Sequence, residues 1–296
     1  MNLIEDFKWQ FRKGDNALIK IILINVIVFV VMHVIFVFCS LAGKENFYFT
    51  YIYSQFELPS PILEFIRKPW TLITFFFAHH HLGILHILFN MIGLYVFGLV
   101  VKEFVGSKKL ISLYILGGLA AGLFYLLIFN VLTRVANIPP SATVIGSSGA
   151  VLSVVVGAAT LVPSYSFFLP IIGSIRIMYI AAFYIFVSFL GIVGSNSGGD
   201  VAHLGGALMG FIYAKQLRSG RDLGKWIYLL LEDFPGLFKR KSKLKISYKN
   251  NGKVSKSTNS APDQKEIDEI LDKISRSGYT SLTKEEQQKL FKASQK

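Results

Sequence analysis

Gly146-Ser147-Ser148-Gly149 opens a stretch, Thr143 to Phe168, that holds no charged residue. So long an uncharged run reads as a buried helix, and a serine flanked by glycines stands at its start. Two readings compete. In one, Gly and Ser are small residues that let membrane helices pack closely, and the Ser148 hydroxyl bonds to a nearby carbonyl. In the other, Ser148 is a nucleophile, and glycines surround it because substrate backbone must come close. The tetrad alone does not separate them, so the rest of the chain has to.

Composition places that helix in a bilayer. Of 296 residues, 52% are hydrophobic and only 17% charged, with a mean hydropathy of +0.50; soluble domains carry about a quarter charged residues. Residues 1–16, with Glu5, Asp6, Lys8, Arg12, Lys13 and Asp15, are too polar for a signal peptide. No small-residue cleavage site follows the first apolar run, which is therefore expected to stay as an anchor. Cys39 is the single cysteine, which excludes an intramolecular disulfide and a CxxC metal site. A net charge of +13 would suggest nucleic acid in a soluble protein. Here the basic residues cluster beside apolar spans, where they set orientation and meet anionic lipid, so lipid is the expected partner and nucleic acid is not.

Apolar runs long enough to cross a bilayer, at about 20 residues each, lie near 17–42, 82–101, 110–133, 147–168, 170–194 and 201–217. The expected fold is an all-α membrane protein, a six-transmembrane-helix bundle over 17–221 with a short cytoplasmic helical tail. Lys8, Arg12, Lys13 and Lys20 precede the first span, Lys102, Lys108 and Lys109 follow the second, and Lys215, Arg218, Arg221 and Lys225 follow the sixth. That bias puts both termini in the cytoplasm, and a bacterial inner membrane is the expected setting. Residues 43–81 are too apolar for a solvated linker and too broken by Pro59, Pro61 and Pro69 for a span. They are expected to lie partly in the outer interface. Residues 222–262 read as an interfacial segment and then a basic linker, with eight Lys/Arg and no acid over 239–262. Over 263–296, Ile267, Ile270, Leu271 and Ile274 follow helical spacing, and Thr283 with Glu286 makes a capping box. A small helical hairpin is expected there.

Ionisable residues inside spans are costly and face the bundle interior. Among six histidines, His33 stands alone and reads as a packed, hydrogen-bonded group. His79, His80 and His81 sit in a row, but consecutive helical residues point about 100° apart, so three in a row do not converge on one ion if that segment is helical. No metal or other cofactor is expected. His86 and Asn90 are four apart and share a helix face. His203 begins the sixth span, with Gly206 and Gly210 further along nearly the same face, a surface on which another helix can pack closely.

Topology adds an argument that no single motif supplies. With the amino terminus inside, the second, fourth and sixth spans all begin at the outer surface. His86 and Asn90, Ser148 and His203 then share one depth, which favours Ser148 as a nucleophile. The chemistry open to this set is acyl transfer, with His203 as the base in a Ser/His dyad. The Ser148 backbone N–H, Asn90 and His86 are the candidate oxyanion donors, helped by the positive end of the fourth helix. Gly146 and Gly149 give substrate and neighbouring helices access to the hydroxyl. Asp200, one turn before His203, reads as a cap or surface group, and Ser147 as a spacer.

Three motifs in order, His81-Leu-Gly-Ile-Leu-His86-Ile-Leu-Phe-Asn90, Gly146-Ser-Ser148-Gly149 and Ala202-His203-Leu-Gly-Gly206-Ala-Leu-Met-Gly210, resemble the rhomboid family of intramembrane serine proteases over roughly residues 68–215. The resemblance implies Ser148 as nucleophile, His203 as base and His86 with Asn90 in the oxyanion hole. It also implies cleavage of single-span membrane proteins near the outer end of their helix, without cofactor. Two positions depart from the family pattern: Trp70 is followed by Thr71 rather than arginine, and Leu152 stands where many members carry an aromatic one turn after the serine. The alternative is an inactive relative that binds membrane helices as a chaperone or quality-control factor. A histidine-based transporter or metal carrier is a more distant rival.

Overall fold

The computed structural model describes residues 16–81, 83–136, 143–169, 173–194, 196–230 and 264–294. The expected polar segment before residue 16, most of the interfacial segment beyond 230 and the basic linker lie outside the described residues. The chain forms two compact units, 1–240 and 241–296.

The first unit is mostly helical. Helix α1 (Ala17–Leu41) is followed by helical turns over 45–55, strand β1 (Leu58–Pro59) and the short helices α2 (Ile62–Arg67) and α3 (Thr71–Thr74). Then come α4 (Ile84–Val105), α5 (Ser107–Ala136), strand β2 (Thr143–Val144), α6 (Ser148–Leu161), strands β3 (Ser166–Leu169) and β4 (Gly173–Arg176), α7 (Ile177–Gly191) and α8 (Ser197–Arg218). Among the described residues, three helices are long and apolar enough to cross a membrane: α1, α4, and α5 as far as Val131. Helices α6 and α7 are apolar but shorter.

The outside of this unit is as apolar as its inside. Helix α4 buries Ile87, Met91, Leu94, Phe97 and Val101 at helical spacing, while Ile84, Leu85, Leu88, Phe89, Ile92 and Leu99 are exposed. A helix hydrophobic all round suits a lipid-facing position, because lipid rather than water covers the outer side. Polar groups that enter the interior are mostly paired, although among the described residues Tyr48 Oη, His79 Nδ1 and His81 Nδ1 are buried without a hydrogen-bond partner. Asn25 of α1, fully buried, donates to the Ile21 carbonyl at 2.9 Å and to Tyr114 Oη of α5 at 3.0 Å. Tyr114 in turn donates to the Phe76 carbonyl at 2.9 Å, so α1, α5 and the loop before α4 are tied at one point.

Helix α6 is the centre of the unit, and Gly149 through Ala159 are all buried. Its small residues explain how neighbours reach it. A Cβ at Gly206 of α8 would overlap the Gly149 carbonyl, one at Gly210 the Ser153 carbonyl, and one at Gly117 of α5 the Ser153 hydroxyl. The glycine face expected on the last span is therefore packed against α6. At 14 residues α6 is roughly 21 Å long, well short of a ~30 Å hydrocarbon core. Strand β2, paired with β1 through Leu58↔Val144 and Pro59↔Thr143, leads the chain into it.

Residues 161–176 depart from expectation. The fourth and fifth apolar runs were expected to be helical to 168 and from 170; α6 instead ends at Leu161 and α7 starts at Ile177. Between them β3 and β4 form an antiparallel hairpin in register Ser166↔Arg176 to Leu169↔Gly173. Pro163 is the reason for the stop: the residue before a proline is pushed out of the helical region, and Val162 has φ −135° and ψ 68°. Phe167 faces inward, with its ring centroid 5.4 Å from that of Phe97, and Phe168 faces out.

The second unit contains a helical hairpin, α9 (Gln264–Ser277) and α10 (Lys284–Ala293). Thr283 and Glu286 make the expected capping box, and Lys273–Glu286 and Lys289–Glu266 ion pairs join the helices. Ile267 and Ile270 are buried, whereas Leu271, on the expected apolar face, is exposed.

Candidate active site

Ser148 is the first residue of α6, reached through a turn that is pinned on three sides. Gly146 has φ +139°, a backbone that side chains rarely adopt, and its N–H donates to the Phe75 carbonyl at 2.9 Å. A Cβ there would come within 3.0 Å of His86 Cε1 and 3.7 Å of Ser148 Oγ, so this glycine keeps the space beside the hydroxyl open. Gly149 faces the other way, toward Ala121 of α5 and the Ala202 carbonyl of α8. Its role is helix packing. Ser147 is fully buried and lies 3.0 Å from His79 Nε2. Burial, with His86 nearby, pushes His79 down to about 3. A neutral His79 anchoring the residue before Ser148 has no signal in the sequence beyond being one of a histidine row.

His203 of α8 meets Ser148 directly: Nε2 is 2.7 Å from Oγ. The glycine packing of α8 on α6 brings the two backbones close enough for this contact. On the other edge of the ring, Nδ1 is 3.0 Å from Ser188 Oγ of α7 and 3.6 Å from Asp200 Oδ1. Asp200, expected from sequence to be a cap or surface group, is the acid of the first turn of α8 and lies beside the His203 ring. Ser188 was missed, and its only sequence signal is a small polar residue in an apolar helix.

His86 and Asn90 lie on one face of α4 as their spacing requires, and Asn90 Nδ2 donates to the His86 carbonyl at 3.0 Å. An amide nitrogen carries two donors, so one remains. His86, Asn90, Ser148 and His203 all line one cavity of about 210 Å³, whose remaining walls include Gly93, Phe97, Val151 and Val155. Leu152 lines it too, and aromatic surface comes from Phe89 of α4 and Tyr184 of α7. Thr71, the other departure, is fully buried and donates to the Lys68 carbonyl at 2.6 Å, holding the turn into α3.

The remaining histidines pack away from Ser148, with the His80 and His81 ring centroids 4.2 Å apart. His33 Nδ1 lies 3.1 Å from the His81 carbonyl, the His81 ring packs on Phe36 at a tilt of 42° with ring centroids 4.3 Å apart, and His80 sits edge-on to Tyr53. Among the described residues, no group of three or more His, Cys, Asp or Glu side chains is arranged to hold a metal ion.

With this geometry in hand, comparison with known proteins decides the family: a rhomboid domain matches residues 67–219, just over half of the chain. The chain belongs to the rhomboid family. Residues 257–296 of this rhomboid match a family of unknown function (DUF6576). The rhomboid is also 33% identical, over 160 residues, to RHOMBOID-like protein 12, mitochondrial, of Arabidopsis thaliana. That match covers 51% of this chain and 47% of the relative, so this rhomboid spans about half the length of the curated relative it matches. The relative's name places that protein in mitochondria and gives no support to a bacterial inner membrane for this one.

Proposed function

We propose that this rhomboid is an intramembrane serine endopeptidase that hydrolyses peptide bonds of single-span membrane proteins near the outer membrane face. The observation that carries the proposal is the 2.7 Å contact between His203 Nε2 and Ser148 Oγ in the wall of a half-open, mainly apolar cavity. Ser148 Oγ attacks the scissile carbonyl carbon while its proton passes to His203 Nε2. The carbonyl electrons move onto oxygen, and the oxyanion is held by donors from the Ser148 backbone N–H, Asn90 and His86, with the amino end of α6 adding its positive dipole end. The tetrahedral intermediate collapses, the C–N bond breaks, and the proton on His203 goes to the leaving amine. Water then attacks the acyl carbon while losing a proton to His203, and that proton passes to Ser148 Oγ as the bond from Oγ to the acyl carbon breaks. No cofactor takes part in these steps.

Six crossings belong to the same proposal, with α6, α7 and α8 joining α1, α4 and α5. So does a placement of both termini, and of the helical hairpin, on the side where Lys and Arg cluster, which the charge bias favours. A serine-directed fluorophosphonate tests the chemistry. Wild type labels in detergent and cleaves a single-span substrate in liposomes, and Ser148→Ala does neither. If wild type labels no more than Ser148→Ala and cuts nothing, the protein is instead an inactive membrane-helix-binding relative. Membrane proteomics comparing the same two forms then identifies the substrate as the protein left uncut in the variant.

A further inference from the structure

A base that takes the Ser148 proton through Nε2 must carry its own proton on Nδ1, because a neutral imidazole has one N–H. In the other tautomer, Nε2–H would point at Ser148 and accept nothing. Resting on the endopeptidase reading, we propose that Ser188 and Asp200 are positioning residues for His203, Ser188 fixing its ring plane and Asp200 its Nδ1–H tautomer.

The two groups divide the task. Ser188 is 3% exposed in an otherwise apolar stretch of α7, where a hydroxyl without a partner is costly, and its Oγ is 3.0 Å from Nδ1. A hydroxyl both donates and accepts, so Ser188 fixes the ring plane without choosing the tautomer. Asp200 chooses it. Its carboxylate, 3.6 Å from Nδ1, is beyond a direct hydrogen bond but presents only acceptor oxygens and negative charge to that edge, and both favour the proton there. The same charge opposes that of the imidazolium formed during attack. Room for the carboxylate is built in. A Cβ at Gly191, one turn after Ser188, would collide with Asp200 Oδ2, so Ser188 and Gly191 of α7 form a seat for Asp200 and His203 of α8.

The isosteric pair Ser188→Thr and Ser188→Val separates hydrogen bonding from packing. With a single-span substrate in liposomes, Ser188→Thr keeps kcat near wild type, while Ser188→Val loses roughly tenfold, the worth of one neutral hydrogen bond, at unchanged KM. Equal kcat for Thr and Val overturns the assignment. A readout independent of cleavage is the ¹⁵N NMR spectrum of histidine-labelled protein in micelles, with His203 assigned through His203→Gln. Wild type shows His203 protonated at Nδ1, Asp200→Asn moves the proton toward Nε2, and Ser188→Val leaves it on Nδ1. A wild-type Nε2–H tautomer overturns the proposal. If the Nδ1–H tautomer is present and lost in Asp200→Asn, yet wild type shows no Ser148-dependent cleavage, the protease reading fails and the positioning stands.

Discussion

Asn90 donates one of its amide hydrogens to the His86 carbonyl one turn earlier, and its side chain lines the same cavity as Ser148. The second hydrogen is then the one available to an oxyanion. Asn90→Ala is expected to lower the cleavage rate in liposomes by about 10²-fold, in the range typical of losing one oxyanion donor. The loss stays smaller than that in His203→Ala, because the Ser148 N–H and His86 remain. Comparable losses from both variants would mean that Asn90 does more than bond the oxyanion. At this scale the sequence was informative where residues are neighbours on one helix: the His86/Asn90 spacing fixes a shared face whatever the rest of the chain does. It was silent on Ser188, because that residue meets His203 across a helix–helix interface.

Packing of α8 on α6 holds the dyad together, and it depends on the absence of side chains at two glycines. A Cβ at Gly206 would overlap the Gly149 carbonyl, immediately after Ser148, and backbone does not step aside as a flexible side chain does. Gly206→Ala is therefore expected to destabilise the membrane unit by about 1–3 kcal/mol, as overpacking does, and to weaken fluorophosphonate labelling of Ser148 in the fraction that remains folded. Thermal denaturation in detergent, read beside labelling, checks both. A melting temperature and labelling equal to wild type would show that α8 carries His203 without this close approach. The glycine spacing announced the face but not its partner. Nor did hydropathy announce the hairpin over 166–176: Phe167, Phe168 and Leu169 are as apolar as helix residues, and Pro163 was the one mark against continuing the helix.

Across the whole chain, the two units rest on different physics, and acid separates them. In the second unit Lys273 Nζ donates to both oxygens of Glu286, at 2.9 and 3.0 Å, and the Thr283 N–H donates to Oε2 at 2.7 Å. These bonds, with Lys273 first, pull the Glu286 carboxyl from its ordinary 4.5 down to about 2. A carboxyl whose folded value is the lower one stabilises the fold fully above its unfolded value, and that contribution is lost as pH falls through the folded one. Helical ¹³Cα shifts over 284–293 in the full-length protein are expected to persist to about 4.5 and fade toward 2. Glu286→Gln removes this dependence, and an unchanged acid response in that variant would refute the assignment. The membrane unit is held instead by apolar burial and close helix packing. The sequence by itself determined that this is a membrane protein, where its apolar runs lie and which polar residues share a helix face, because hydropathy and helical period are local properties of the chain. Only the tertiary structure decided what His203 touches besides Ser148, and which helix fills the glycine face. A helix that is apolar all round has no amphipathic stripe to fix its rotation, so its inward face is set by shape complementarity with its neighbours.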